Sequence, residues 1–194
     1  MDSNHTNHNK SKRTFLTVEN LSKSYDNNQA LSNFNLTVYK NDVLGIIGHS
    51  GSGKSTLLKL IYGLEDVDEG IIKLQNDRVK GRSEVLVPGD DRVKYVKQQY
   101  DLFPDHTVYE NLEHPIRFHK KEYIEERINK LLKAFSIEHV RDIKAKQISG
   151  GEQQRVAICC ALAEAPELLL LDEPLAHLDQ INACLLYTSP SPRD

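Results

Sequence analysis

No stretch of this chain comes near the roughly 20 consecutive apolar residues that a helix needs to cross a bilayer. The leucine run at 168–171 has only the length of a buried strand. Any role at a membrane therefore passes through a partner protein. Cysteine is scarce as well: three residues, two of them adjacent at Cys159 and Cys160, form no disulfide framework. Residues 1–14 are polar and rich in asparagine and histidine, without the apolar segment of a signal peptide. They are expected to form a disordered arm, with His5 and His8 as residues of a frayed terminus rather than metal ligands. The chain is accordingly expected in the cytosol. A net charge of −3 argues against a general nucleic-acid binder, which carries a basic surface.

What is present suits one well-packed domain with room for a small lobe: 194 residues, 39 % hydrophobic and 27 % charged. Residues 15–20 and 30–39 alternate apolar with polar (Leu31, Phe34, Leu36 and Val38 in the second), and Asp26-Asn27-Asn28 supplies a turn between them. The pattern predicts antiparallel strands with one wet face. Val43-Leu44-Gly45-Ile46-Ile47 is apolar throughout and predicts a strand buried on both faces. Helical composition follows over 54–62, and 70–74 and 92–97 read as short strands. From about 99 the pattern turns helical, with Ile124, Ile128, Leu131, Leu132 and Phe135 on one stripe. A helix over 152–164 stops before Pro166, and 168–171 returns to buried strand. The predicted fold class is α/β: a mainly parallel core sheet, an N-terminal antiparallel β subdomain, and an α-helical subdomain inserted over about 99–150.

Gly48-His49-Ser50-Gly51-Ser52-Gly53-Lys54-Ser55 satisfies G-x-x-x-x-G-K-[ST], with an apolar run before it and helical composition from Lys54 through Thr56 and beyond. Glycines let backbone N–H groups close around phosphate oxygens with no Cβ in the way. The helix start adds a positive dipole end. Lys54 offers a point charge to the β- and γ-phosphates of ATP, and Ser55 a hydroxyl to Mg²⁺. A plain glycine-rich turn is the bland alternative, and the strand and helix on either side argue against it.

Asp172 and Glu173 stand at the C-terminal end of the 168–171 run, the edge where ligands of open α/β sheets collect. Asp172 is the candidate Mg²⁺ holder, and Glu173 the candidate to orient or deprotonate the attacking water. Further upstream, Ser149 and Glu152 form an S-x-x-E capping box at a helix start, with Gly150 and Gly151 allowing close approach of an anion.

Ile148-Ser149-Gly150-Gly151-Glu152-Gln153-Gln154-Arg155 resembles the signature motif of the ATP-binding cassettes of ABC transporters. The resemblance runs over about 15–182 and implies a P-loop NTPase. It implies that Tyr25 stacks on adenine, and that Gln98, six residues before Pro104, is the Q-loop glutamine sensing Mg²⁺ and the transporter. It also implies that Leu178-Asp179 is the D-loop, and that the signature of one subunit covers the γ-phosphate held by a second cassette, head to tail. The implied function is ATP hydrolysis energising an integral membrane permease, with the chain peripheral on the inner face of the membrane and no nucleic acid bound. A soluble relative acting on nucleic acid or ribosomes is the alternative class. Phe103-Pro104-Asp105-His106-Thr107-Val108 resembles importer cassettes for polyamines, iron or sulfate without separating them.

The family's switch histidine falls near position 205, past the last residue, and His177 stands too close to Glu173 to serve. A chain truncated in this way is expected to bind ATP with little turnover. Residues 184–194 resemble one reading frame of a transposon-end sequencing adapter and are expected to be an artefact, leaving 15–183 as the cassette domain.

Overall fold

The computed structural model describes residues 13–26 and 28–173. The D-loop positions, His177 and the 184–194 tail lie outside them. The chain divides into two compact units, Met1–Pro88 and Gly89–Asp194.

In the first unit, β1 (Thr14–Tyr25) and β2 (Asn28–Tyr39) form a hairpin, and β3 (Glu69–Leu74) and β4 (Asp77–Arg78) complete an antiparallel sheet in the order β2-β1-β3-β4. The hairpin turns at Asp26, whose φ of 50° is left-handed, as the sequence suggests. Its strands run longer than the apolar alternation, because backbone pairing continues through the polar stretch 22–25. Leu16 and Val18 point inward; an irregularity in register after Val18, with Asn20 at φ 50°, turns Leu21 inward as well. Gly70 of β3 makes that kink possible, since a Cβ there would lie 2.4 Å from the Glu19 carbonyl oxygen. Helix α1 (Lys54–Tyr62) has the predicted bounds and buries Leu57, Leu60 and Ile61. It ends on Gly63 in the left-handed conformation, with the Gly63 and Leu64 N–H groups returned to Leu60 and Lys59.

The segment 43–47 departs from expectation. It forms no strand, and Val43 and Ile47 are 94 % and 98 % exposed. A strand buried on both faces needs flanking strands to take its N–H and C=O groups. Among the described residues no strand pairs with this segment, so its backbone faces solvent.

In the second unit, β5 (Val93–Val96) and β6 (Leu168–Leu171) pair in parallel, Val93 opposite Leu168 and Val96 opposite Leu171. The connection between them carries α2 (Val108–Glu113), α3 (Lys121–Ala134) and α4 (Gly150–Ala163). Ile124, Ile128, Leu131 and Leu132 of α3 are buried as the stripe predicts, and pack with Leu112, Ile116, Val156 and Cys159. Phe135, one residue past the helix, is only partly buried. The other side of α4 sets Ala157 and Ile158 against Val96, Leu169 and Leu171, so one helix serves both the lobe and the strand pair. With a single neighbour among the described residues, β6 is half-buried; of its four residues only Leu170 falls below a tenth exposed. Among the described residues no helix is long and apolar enough to cross a membrane.

Candidate functional site

The phosphate-loop motif lies in the first unit. A turn brings the Ser52 N–H to the His49 carbonyl at 3.2 Å, and Gly51 and Gly53 adopt φ values of 79° and 85° that side-chain-bearing residues resist. Gly53 also lies against β2, where a Cβ would meet the Ala30 carbonyl oxygen at 2.4 Å. The loop therefore needs glycine for conformation and for space at one position. Lys54 folds back over it: Nζ donates to the carbonyls of Gly48 and His49, both at 2.8 Å, and to Ser52 Oγ at 3.4 Å. The ammonium thus closes the loop from its helix end, with Ser55 and Thr56 next on α1.

Tyr25 belongs to the same neighbourhood. Its hydroxyl donates to Glu65 and also bonds the Thr56 side chain, on the first turn of α1. Burial, and then the Glu65 carboxylate, push its pKa up to about 12, against a smaller lowering by Thr56. The residue stays 41 % exposed, with Lys23 Nζ 5.5 Å from the ring centroid. A ring tethered by its hydroxyl and open elsewhere suits stacking. Glu65, which tethers it, is invisible to motif reading.

The acid pair lies in the second unit. Asp172 continues the parallel ladder, its N–H donating to the Val96 carbonyl at 3.0 Å. It is 9 % exposed, and Tyr95 donates to its Oδ2 at 2.9 Å. Glu173 takes a left-handed φ of 49°, which turns its side chain off the strand direction. There Gln98 Nε2 donates to its Oε2 at 2.8 Å. The structure thus brings Gln98, Asp172 and Glu173 to one end of the β5–β6 pair. Tyr95 escaped sequence reading, although the pattern Val93-Lys94-Tyr95-Val96 already marks it as a strand residue.

The signature helix starts as predicted. Ser149 caps α4, and Glu152 Oε2 accepts from the Ser149 N–H at 2.9 Å and from Ser149 Oγ at 2.6 Å. The Ser149 hydroxyl and N–H, in that order, and more weakly His139, hold the Glu152 carboxyl at about 2 against a smaller opposing effect of burial. Gly150 has open space where a Cβ would stand. His139, whose Nε2 lies 2.9 Å from Glu152 Oε1, is a second residue that motif reading passes over.

No three His, Cys, Asp or Glu side chains cluster as a metal cage among the described residues. Mg²⁺ is commonly bound by one or two carboxylates together with substrate phosphates. Asp172, a buried carboxylate in the second unit, and Ser55, a hydroxyl in the first, are each of a chemistry that Mg²⁺ accepts.

The family model described as ABC transporter matches residues 31–176. A spermidine/putrescine import ATP-binding protein of Acetivibrio thermocellus is 42 % identical over 166 residues, covering 84 % of this chain and 46 % of that protein. A probable sulfate/thiosulfate import ATP-binding protein of Chlorella vulgaris is 41 % identical over 167 residues, covering 84 % of this chain and 69 % of that protein. The chain thus spans about half the length of the polyamine import proteins it matches. Among solved structures, cbiO1 of Clostridium perfringens superposes with a TM-score of 0.77 at 29 % identity, over 90 % of this chain and 71 % of that one. A dimeric ATP-binding cassette in a post-hydrolysis state with ADP and Pi superposes with a TM-score of 0.74 at 34 % identity, over 86 % and 77 %.

Proposed function

Because this chain belongs to the ABC transporter family, we propose that it binds ATP with Mg²⁺, hydrolyses it, and so energises import through an integral membrane permease. The observation that carries this proposal is the division of labour between two adjacent acids. Asp172 is buried and fixed by the Tyr95 hydroxyl, while Glu173 is exposed and held by a neutral amide. A buried, oriented carboxylate suits cation binding; an exposed one suits contact with water and the movement of a proton.

On this proposal Lys54 lies along the β- and γ-phosphates, the loop N–H groups face the phosphate oxygens, and Tyr25 stacks on adenine. Mg²⁺ would be held by the Ser55 hydroxyl, Asp172 and the Gln98 carbonyl, and would supply neutralisation of charge on the β- and γ-phosphates. Glu173 accepts a hydrogen bond from the attacking water. The water oxygen bonds to the γ-phosphorus as the bond to the bridging oxygen of ADP breaks, and Glu173 takes up the water proton. Ser149, Gly150 and Gly151 serve a second copy, their helix end, capped by Glu152, covering the γ-phosphate bound there, in a head-to-tail pair.

The chain is then peripheral on the cytoplasmic face of the membrane, attached through the permease. Two similar proteins named for import of polycations in one case and oxyanions in the other support transport over a role on nucleic acid. Their near-equal identity leaves choice of solute to other subunits. Phosphate release with and without Glu173→Gln tests the proposal. Turnover that falls about a hundredfold or more while ATP binding persists is expected. Turnover at the unmodified rate in the variant contradicts it.

A further inference from the structure

The carboxylate of Glu152 is shared between two partners. Its Oε2 accepts from the N–H and hydroxyl of Ser149, and its Oε1 lies 2.9 Å from His139 Nε2. Glu152 is only 18 % exposed, whereas His139 faces solvent. His139 is nevertheless well anchored. It sits in the short turn Glu138–Val140, between Ile137 and Val140, both buried in the helical core, and two residues before Arg141, which is bonded to Glu125 at 2.6 Å and stacked 4.5 Å from the Tyr109 ring. The imidazole is therefore presented to α4 from a fixed base.

Glu152 is an internal anion at the positive end of α4, ionised at any ordinary pH. The proposed function brings a second anion, the γ-phosphate of a second copy's ATP, to that same helix end. A carboxylate free to swing across the first turn competes with phosphate for the same N–H groups and repels it. We propose that His139 is a positioning residue for this capture: its hydrogen bond to Oε1 holds Glu152 to the side of the helix end, leaving the first turn to the incoming phosphate. The inference rests on the proposed function and adds the device that keeps the receiving surface clear.

The test is ATP-dependent self-association of the full chain by sedimentation, in a Glu173→Gln background that prevents turnover. His139→Ala is expected to weaken association about five- to tenfold, the effect of losing one charge-assisted hydrogen bond, with ATP affinity of the single chain unchanged. His139→Gln, which keeps an N–H donor, restores association. Adding Glu152→Gln to His139→Ala also restores it, because the competing charge is gone; a residue that only stabilises the fold is not rescued in this way. The inference is overturned if His139→Ala associates like its parent, or if the added Glu152→Gln leaves association as weak. A parent chain that binds ATP and never associates overturns the head-to-tail pairing and this inference with it.

Discussion

Gln98 Nε2 donates a 2.8 Å hydrogen bond to Glu173 Oε2, joining residues 75 apart in the chain. The bond is a consequence of strand register. Val96 pairs with Leu171 at the end of the parallel β5–β6 ladder, and Gln98 and Glu173 each stand two residues beyond that last pair. Spending its amide N–H on Glu173 leaves Gln98 with its carbonyl oxygen as the end able to face a cation.

Gln98→Ala removes the group that orients the proposed base without touching the phosphate loop. Turnover at saturating Mg-ATP is expected to fall by about tenfold to a hundredfold, over and above the weaker Mg-ATP binding that loss of the Gln98 carbonyl brings, as misplacement of a catalytic group does. Steady-state phosphate release beside equilibrium ATP binding checks it. Weaker binding with turnover at saturation unchanged would place Gln98 in nucleotide affinity instead.

Tyr25 has a pKa raised above its ordinary value of 10.0, to about 12. The fold therefore favours the neutral phenol. The stability this adds is complete below pH 10 and lost as pH rises through about 12. Absorbance titration of tyrosinate is expected to lose one late step in Tyr25→Phe, and the stability difference between the two chains to shrink over that window. Stacking needs only the ring, so Tyr25→Phe should keep ATP affinity, while Tyr25→Ala loses about tenfold or more.

Ser149→Ala deletes the cap of α4 and the main group that lowers the pKa of Glu152. A loss of about 1 kcal/mol is expected near neutral pH. Glu152 lies below its ordinary value of 4.5, so its contribution is complete above pH 4.5 and lost as pH falls through about 2. Denaturant unfolding should therefore show the difference between the two chains closing at low pH.

Much of the site was legible because its chemistry constrains backbone locally. The loop from Gly48 to Ser55 needs left-handed residues at Gly51 and Gly53, and the S-x-x-E cap places Ser149 and Glu152 within one helical turn. Both are short-range facts that spacing records. The apolar run at 43–47 records only that a strand would be buried given neighbours, and neighbours come from elsewhere in the chain. Tyr95 on Asp172 and His139 on Glu152 span 77 and 13 residues, and depend on strand register and on how a turn packs, which no motif encodes. Glu65 on Tyr25 is of the same kind, a tether 40 residues away whose position follows from how α1 lies on the sheet.

On the proposed function, Lys54 and Asp172 act on one triphosphate. A double-mutant cycle on Mg-ATP affinity, with Lys54→Ala, Asp172→Asn and the pair together, measures this directly. Groups serving one ligand are expected to couple by more than about 1 kcal/mol. Losses that simply add, to within about 0.5 kcal/mol, would mean the two residues serve separate sites and would contradict the proposed function.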